Sequence, residues 1–121
     1  MADDYSALYD AAGKQWNVDP LLLQSLAQEE SGENPGAVGP MTKYGNARGA
    51  FQFIPQTAAH YGITDPHDIT QAAYGAAHYL SDLMAQNNGD VGQALVGYGG
   101  YTGQNPAQVP YIQKIDRKSV V

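Results

Sequence analysis

One carboxylate in this chain stands where a carboxylate is expensive. Asp19 followed by Pro20 is a strong helix start, a capping acid and then proline at the first helical position, and Gly32 supplies a stop. A helix advances about 100° per residue. With Leu21 at zero, Leu22, Leu26, Leu23 and Ala27 fall at roughly 100°, 140°, 200° and 240°, with Gln24, Ser25 and Gln28 on the other side. Glu30 falls at roughly 180° by the same geometry, in the middle of the apolar face, while Glu29 lies near its edge, within reach of water. Desolvation raises the pKa of such a carboxyl, and the dipole of a helix C-terminus adds to the effect. A carboxyl protonated near neutral pH is a general acid. Two structural readings stand beside that one: Glu30 pairs with a buried arginine, or the helix ends before it.

The surroundings of Glu30 limit the chemistry. Acid–base chemistry often pairs such an acid with a second carboxylate of different pKa. Residues 34–64 contain no Asp or Glu, and Glu33 is too close to the helix end to reach across a cleft easily. Asp65 and Asp68 are the remaining candidates for a second carboxylate. His60, His67 and His78 lack ligand-like spacing and read as surface or loop residues, so no metal is expected. Cysteine is absent, which removes disulfides, thiolate sites and a cysteine nucleophile.

The elements that must position Glu30 are helical. A first helix is expected from about Asp4 to Trp16, with Tyr5, Leu8, Tyr9, Ala12 and Trp16 as its inner stripe and Asp3 or Asp4 at its cap. Residues 33–50 are rich in Gly, Pro and Asn and read as loop with room for a short hairpin; Phe51-Gln52-Phe53-Ile54 reads as an extended or turn segment. Helices follow from Pro55 to about Tyr61 and from Ile69 to about Asn87, the second with the small-residue face Ala73, Ala76, Ala77. Asp90 caps another, with Gln93 in the reciprocal position, and a last helix is expected from about Pro106 to Lys118.

The length suits one domain over residues 1–121, and 43% hydrophobic residues suffice for a core. Twelve acidic against six basic residues, net charge -6, leave no basic stripe for phosphates, so nucleic acid is excluded as a partner. Lys114, Arg117 and Lys118 read as a solvated helix end. No apolar run approaches the roughly 20 residues of a membrane span, and the opening Met-Ala-Asp-Asp-Tyr lacks the pattern of a signal peptide.

Three blocks together resemble the lytic transglycosylase domain, a branch of the lysozyme-like superfamily related to goose-type lysozyme. The first runs from Leu21-Leu22-Leu23 through Glu30-Ser31-Gly32 to Asn34-Pro35-Gly36-Ala37-Val38, similar to the family's Glu-Ser block. The second, Ala47-Arg48-Gly49-Ala50-Phe51-Gln52-Phe53-Ile54-Pro55-Gln56-Thr57-Ala58, is similar to Gly-Leu-Met-Gln-Ile-Met-Pro-x-Thr-Ala. The third, Ala76-Ala77-His78-Tyr79-Leu80 with Ala94-Leu95-Val96-Gly97-Tyr98, resembles the helix pair ending in Ala-Tyr-Asn-Ala-Gly. The resemblance covers about residues 5–115. It implies a mainly α, lysozyme-like α+β fold with an open glycan groove and a minimal β-hairpin between residues 38 and 54.

It also implies roles: Glu30 as acid and base, Ser31 orienting it, Gln52 and Ile54 lining the glycan cleft, Tyr98 touching the carboxyl or the sugar, and Tyr111 as a late cleft tyrosine. Gly99 stands where the family has asparagine, and Phe51 and Phe53 flank Gln52 in place of Met and Ile. The activity implied is cleavage of peptidoglycan between N-acetylmuramic acid and N-acetylglucosamine, with a 1,6-anhydro product, one glutamate and no cofactor. A muramidase of the same fold, with water held by Asp65, Asp68 or backbone groups, and an inactive glycan-binding or assembly domain, are the rivals. The partner implied is the glycan strand, reached at the cell wall by excision from a longer chain, by dedicated export, or within an envelope-spanning or phage assembly.

Overall fold

The computed structural model describes the backbone of residues 4–119 and the side chains of residues 4–115. Helix α1 spans Ser6–Trp16 and starts after Asp4, whose Oδ1 accepts the Ser6 N–H at 2.9 Å; the alternative cap Asp3 lies outside the described residues. Helix α2 spans Pro20–Ser31. Asp19 Oδ1 accepts the Leu21 N–H at 2.9 Å, and Pro20 enters where no intrahelical N–H is needed. Gly32 closes the helix at φ +69°, a left-handed conformation that glycine adopts without a Cβ clash. The helix therefore includes Glu30 within its last turn.

Antiparallel strands β1 (Val38–Thr42) and β2 (Gly45–Arg48) form the hairpin, with Thr42 opposite Gly45 and a register irregularity between Val38 and Met41. A further bridge pairs Arg48 with Phe53, with two backbone hydrogen bonds of 3.0 Å, and turns the chain back along the hairpin. Gly49 makes that turn possible. Its φ is +84°, and a Cβ there would sit 1.9 Å from the Pro66 carbonyl oxygen.

Helices α3 (Pro55–His60), α4 (Ile69–Gln86) and α5 (Val91–Gly99) follow. Asp68 caps α4 through the Thr70 N–H at 3.0 Å, and Asp90 caps α5 through the Gln93 N–H at 3.1 Å. The last helix differs from the sequence expectation. Pro106–Gln108 is a single 3-10 turn, Val109 is extended, and α6 runs Pro110–Ser119. Pro110 has no N–H to donate and its ring would clash with the carbonyl four residues back, so the expected continuous helix breaks there and proline becomes the first residue of a new one.

The core is centred on the fully buried side chains Tyr9, Leu23, Leu26, Phe51, Leu80, Leu95, Ile112 and Ile115. Helix α4 contributes the small buried face Ala72, Ala73, Gly75, Ala76 and Ala77, which lets α1 and α5 pack closely against it. At Gly75 a Cβ would meet Ile63 Cδ1 at 2.4 Å. Helix α2 is held between α1 and α6. Neighbours on both sides explain a departure from the wheel: Ser25, expected on the polar side, is only 4% exposed, while Leu21 is 48% exposed. His78, expected at the surface or in a loop, is half-buried within α4, its ring stacked on Trp16 with centroids 3.8 Å apart. No helix among the described residues is long and apolar enough to cross a membrane.

Candidate active site

The C-terminal turn of α2 projects Glu30 into a cleft of about 570 Å³. The hairpin tip and the Gln52–Ile54 turn form one wall; Tyr79 of α4 and the Gly97–Gly100 end of α5 form the other. Glu30 is the only carboxyl among the described residues that line the cleft. Burial pushes its pKa up from 4.5 to about 7, opposed by the Tyr111 hydrogen bond and reinforced by the neighbouring charge of Glu29. Glu29 itself lies 3.9 Å from the exposed Lys114 ammonium.

The partner that Glu30 acquires is a phenol. The Tyr111 hydroxyl donates to Glu30 Oε2 at 2.5 Å. Tyr111 comes from the first turn of α6, 81 positions away, and its ring stands 5.5 Å from that of Tyr101. Burial first, then the nearby carboxyl, pushes the Tyr111 pKa far above its ordinary value, so the hydroxyl remains a donor across the physiological range. One oxygen of Glu30 is thus fixed by a neutral donor that adds no charge to the site. Among the described residues no arginine or lysine bridges to it.

The other residues singled out in the sequence divide into two groups. Gln52, Ile54 and Tyr98 line the cleft with Glu30. Gln52 sits at φ +53°, a left-handed conformation that non-glycine residues adopt at a cost of about 1–3 kcal/mol. Its Nε2 donates to the Gly49 carbonyl at 2.9 Å, which ties the side chain back to its own turn. The Tyr98 hydroxyl donates to the Phe51 carbonyl at 2.9 Å rather than to Glu30. It braces α5 against the floor of the cleft. Ser31 is turned to the backbone: its hydroxyl donates to the Ala50 carbonyl at 2.7 Å and accepts the Asn34 N–H at 3.0 Å. That clamp fixes the end of α2 to the turn carrying Gln52, so any orienting effect on Glu30 is transmitted through the backbone.

The possible second carboxylates lie elsewhere. Asp65 is exposed and accepts the His67 N–H at 2.9 Å; Asp68 is exposed and caps α4. Neither lines the cleft. Glu33 accepts the Tyr9 hydroxyl at 2.9 Å and the Gln28 amide at 3.2 Å, away from the cleft walls. Among the described residues no group of three or more His, Asp or Glu side chains is close enough to hold a metal ion.

Residues 7–118 match the family described as the transglycosylase SLT domain. The chain belongs to this family. The transglycosylase of the enterobacterial phage PRD1 is 38% identical over 94 residues, covering 78% of this chain and 34% of the phage protein. The membrane-bound lytic murein transglycosylase F of Salmonella arizonae is 32% identical over 83 residues, 69% of this chain and 15% of that protein. The membrane-bound lytic murein transglycosylase F 1 of Alkalilimnicola ehrlichii is 29% identical over 87 residues, 72% of this chain and 17% of its own length. The SLT domain thus spans about a third of the phage relative and less than a fifth of the other two. The helical, lysozyme-like architecture and family expected from the three sequence blocks both hold.

Within the SLT family pattern, the structure gives Gly99 a physical role. A Cβ at that position would lie 2.8 Å from the Tyr101 ring and 3.0 Å from Tyr111 Cε1. An asparagine would push on the ring that holds Glu30. The glycine and the Tyr101–Tyr111 pair therefore form one packing solution. Tyr79, which shares the cleft with Glu30 and whose ring lies tilted 5.1 Å from that of Tyr98, is a wall residue that sequence reasoning missed. Its placement one helical step beyond His78 reads equally well as core.

Proposed function

We propose that this SLT domain cleaves the glycan strands of peptidoglycan between N-acetylmuramic acid and N-acetylglucosamine, leaving a 1,6-anhydro end. The observation that carries the reading is a buried carboxyl, poised near pH 7, the one acid among the described residues lining an open cleft, and held by a neutral tyrosine. An acid must be protonated to start the reaction and ionised to finish it, and a pKa near the working pH serves both halves.

In the first half, Glu30 donates its proton to the glycosidic oxygen as the bond to the muramyl C1 breaks. The positive charge at C1 is met by the substrate's own 2-acetamido oxygen. In the second half, the Glu30 carboxylate takes the proton of the muramyl 6-hydroxyl as that oxygen bonds to C1. The carboxyl is regenerated, no water is consumed, and no cofactor is required. Tyr111 keeps one carboxyl oxygen fixed while the other carries the proton in both directions. The acetamido group and the 6-hydroxyl replace the second carboxylate and the water that a hydrolase needs. The distribution of acids supports this reading over a muramidase, because Asp65 and Asp68 are engaged in a turn and a helix cap.

Mass spectrometry of peptidoglycan digests tests the proposal. Anhydro-muramyl ends, lighter than reducing ends by one water, are expected from the native chain. Glu30→Gln is expected to lower their rate of appearance by at least about a hundredfold. Reducing ends as the sole product would overturn the lyase mechanism, and unchanged activity in the variant would overturn the role of Glu30. We further propose that the domain works at the cell wall within a larger protein, as the relatives' greater lengths suggest.

A further inference from the structure

Among its described lining residues the cleft has one carboxyl, Glu30, and one cation, Lys43. The chain as a whole carries six basic residues against twelve acidic ones, so a lone lysine at the rim of the functional groove stands out against its own background. Its position is built rather than incidental. Lys43 and Tyr44 are the two residues between the paired Thr42 and Gly45. Thr42 Oγ1 locks the turn by donating to the Gly45 carbonyl at 2.8 Å and accepting the Tyr44 N–H at 3.1 Å. Gly45 sits at φ +93° with Pro55 so near that a Cβ would meet its ring at 3.2 Å, which seats the tip against the start of α3. The Lys43 ammonium lies 5.1 Å from the centroid of the Tyr44 ring, inside the range of a cation–π contact. Tyr44 is itself 59% exposed and lines the cleft beside it.

A glycan strand of the kind proposed above is neutral along its sugar backbone. Its anionic feature is a carboxylate on the lactyl arm of each muramyl residue, either the lactyl carboxylate itself or the carboxylates of a peptide attached through it. We propose that Lys43 is a specificity-determining residue that takes a carboxylate carried on the lactyl arm and so selects muramyl strands over neutral N-acetylglucosamine polymers. Lys43 is exposed, its ammonium over the Tyr44 ring and its backbone in an anchored turn, so less chain entropy is lost when an anion pairs with it. The inference rests on the proposed function only in taking a glycan strand as occupant of the cleft. It does not require that the strand be cut.

Binding without turnover tests it. The Glu30→Gln chain, alone and combined with Lys43→Met or, as a control away from the cleft, Lys14→Met, is titrated calorimetrically with three oligosaccharides of equal length. These are a neutral chito-oligosaccharide, a glycan strand stripped of peptide, and a strand bearing peptide. Tighter binding of at least one carboxylated strand than of the chito-oligosaccharide is expected at low salt. Lys43→Met should reduce that preference about three- to tenfold, Lys14→Met should not, and the preference should shrink at high ionic strength. The strand whose advantage is lost identifies the carboxylate as lactyl or peptide. Equal binding of all three strands, or a preference that survives Lys43→Met, overturns the inference. A Lys43-dependent preference in a chain whose native form cuts nothing would uphold it while refuting the proposed reaction.

Discussion

Burying Glu30 should make the folded chain sensitive to pH in a way that one substitution removes. The carboxyl titrates at about 7 in the fold against an ordinary 4.5. Below the lower value it is protonated in both folded and unfolded chains, and its burial carries no ionic penalty. Between the two values the unfolded chain loses the proton and the folded chain keeps it. The raised pKa therefore favours folding most at low pH, and that advantage disappears as pH climbs through 4.5 to about 7. Each step of one in pKa is worth about 1.36 kcal/mol, so the full change is about 3 kcal/mol. Glu30→Gln replaces the carboxyl with a neutral amide of the same shape and abolishes the dependence. Urea unfolding of both chains at pH 4 and pH 8 isolates it, since every other titrating group is common to the two. Relative to the variant, the native chain should be less stable at pH 8 than at pH 4 by about 3 kcal/mol. A difference that does not change with pH, or one in which the native chain gains on the variant as pH rises, would refute the claim that the carboxyl is held in a dry site.

Three further outcomes are expected. Tyr111→Phe removes the one contact that lowers the Glu30 pKa, so the alkaline limb of the pH–activity profile should move to higher pH while the maximal rate falls about tenfold; an unmoved limb would mean the hydrogen bond has no electrostatic role. Gly99→Ala, by crowding the Tyr101 and Tyr111 rings, should reproduce a weaker version of the same shift, and an unaltered profile would show that the rings yield without displacing the hydroxyl. Asp65→Asn and Asp68→Asn should each retain activity within a few-fold, the latter with little loss of stability because an asparagine Oδ1 still accepts the Thr70 N–H, and loss of activity in either would favour the water-activating rival.

Where a short stretch of chain decides an outcome by itself, the sequence was legible. Asp19-Pro20 and Gly32 delimit α2, and its leucines place Glu30 inward, because capping and helical periodicity are local. Asp90 announced its helix for the same reason. Pro110 was a local signal misread, since Pro106 four positions earlier offered an equally good helix start. What stayed hidden depends on contacts between distant segments. Nothing near Tyr111 says that its hydroxyl meets Glu30, and Tyr98 was as good a candidate until packing sent its hydroxyl to Phe51. Ser31 beside Glu30 suggested direct help; its bond to Ala50 exists only because the turn after β2 folds back over the end of α2. Ser25 reads as polar surface on the wheel and is covered because the helix has neighbours on both sides. Gly99 read as a departure from family pattern becomes intelligible only with the rings of Tyr101 and Tyr111 beside it.

The protonation state of Glu30 at neutral pH can be observed directly. The chain has three glutamates, Glu29, Glu30 and Glu33, so carbon-13 labelling of glutamate side-chain carboxyls gives three resonances, and Glu30→Gln assigns one by its disappearance. That resonance should titrate with a midpoint near 7. A midpoint in the ordinary carboxylate range would leave the cleft without a proton donor at neutral pH and contradict the account.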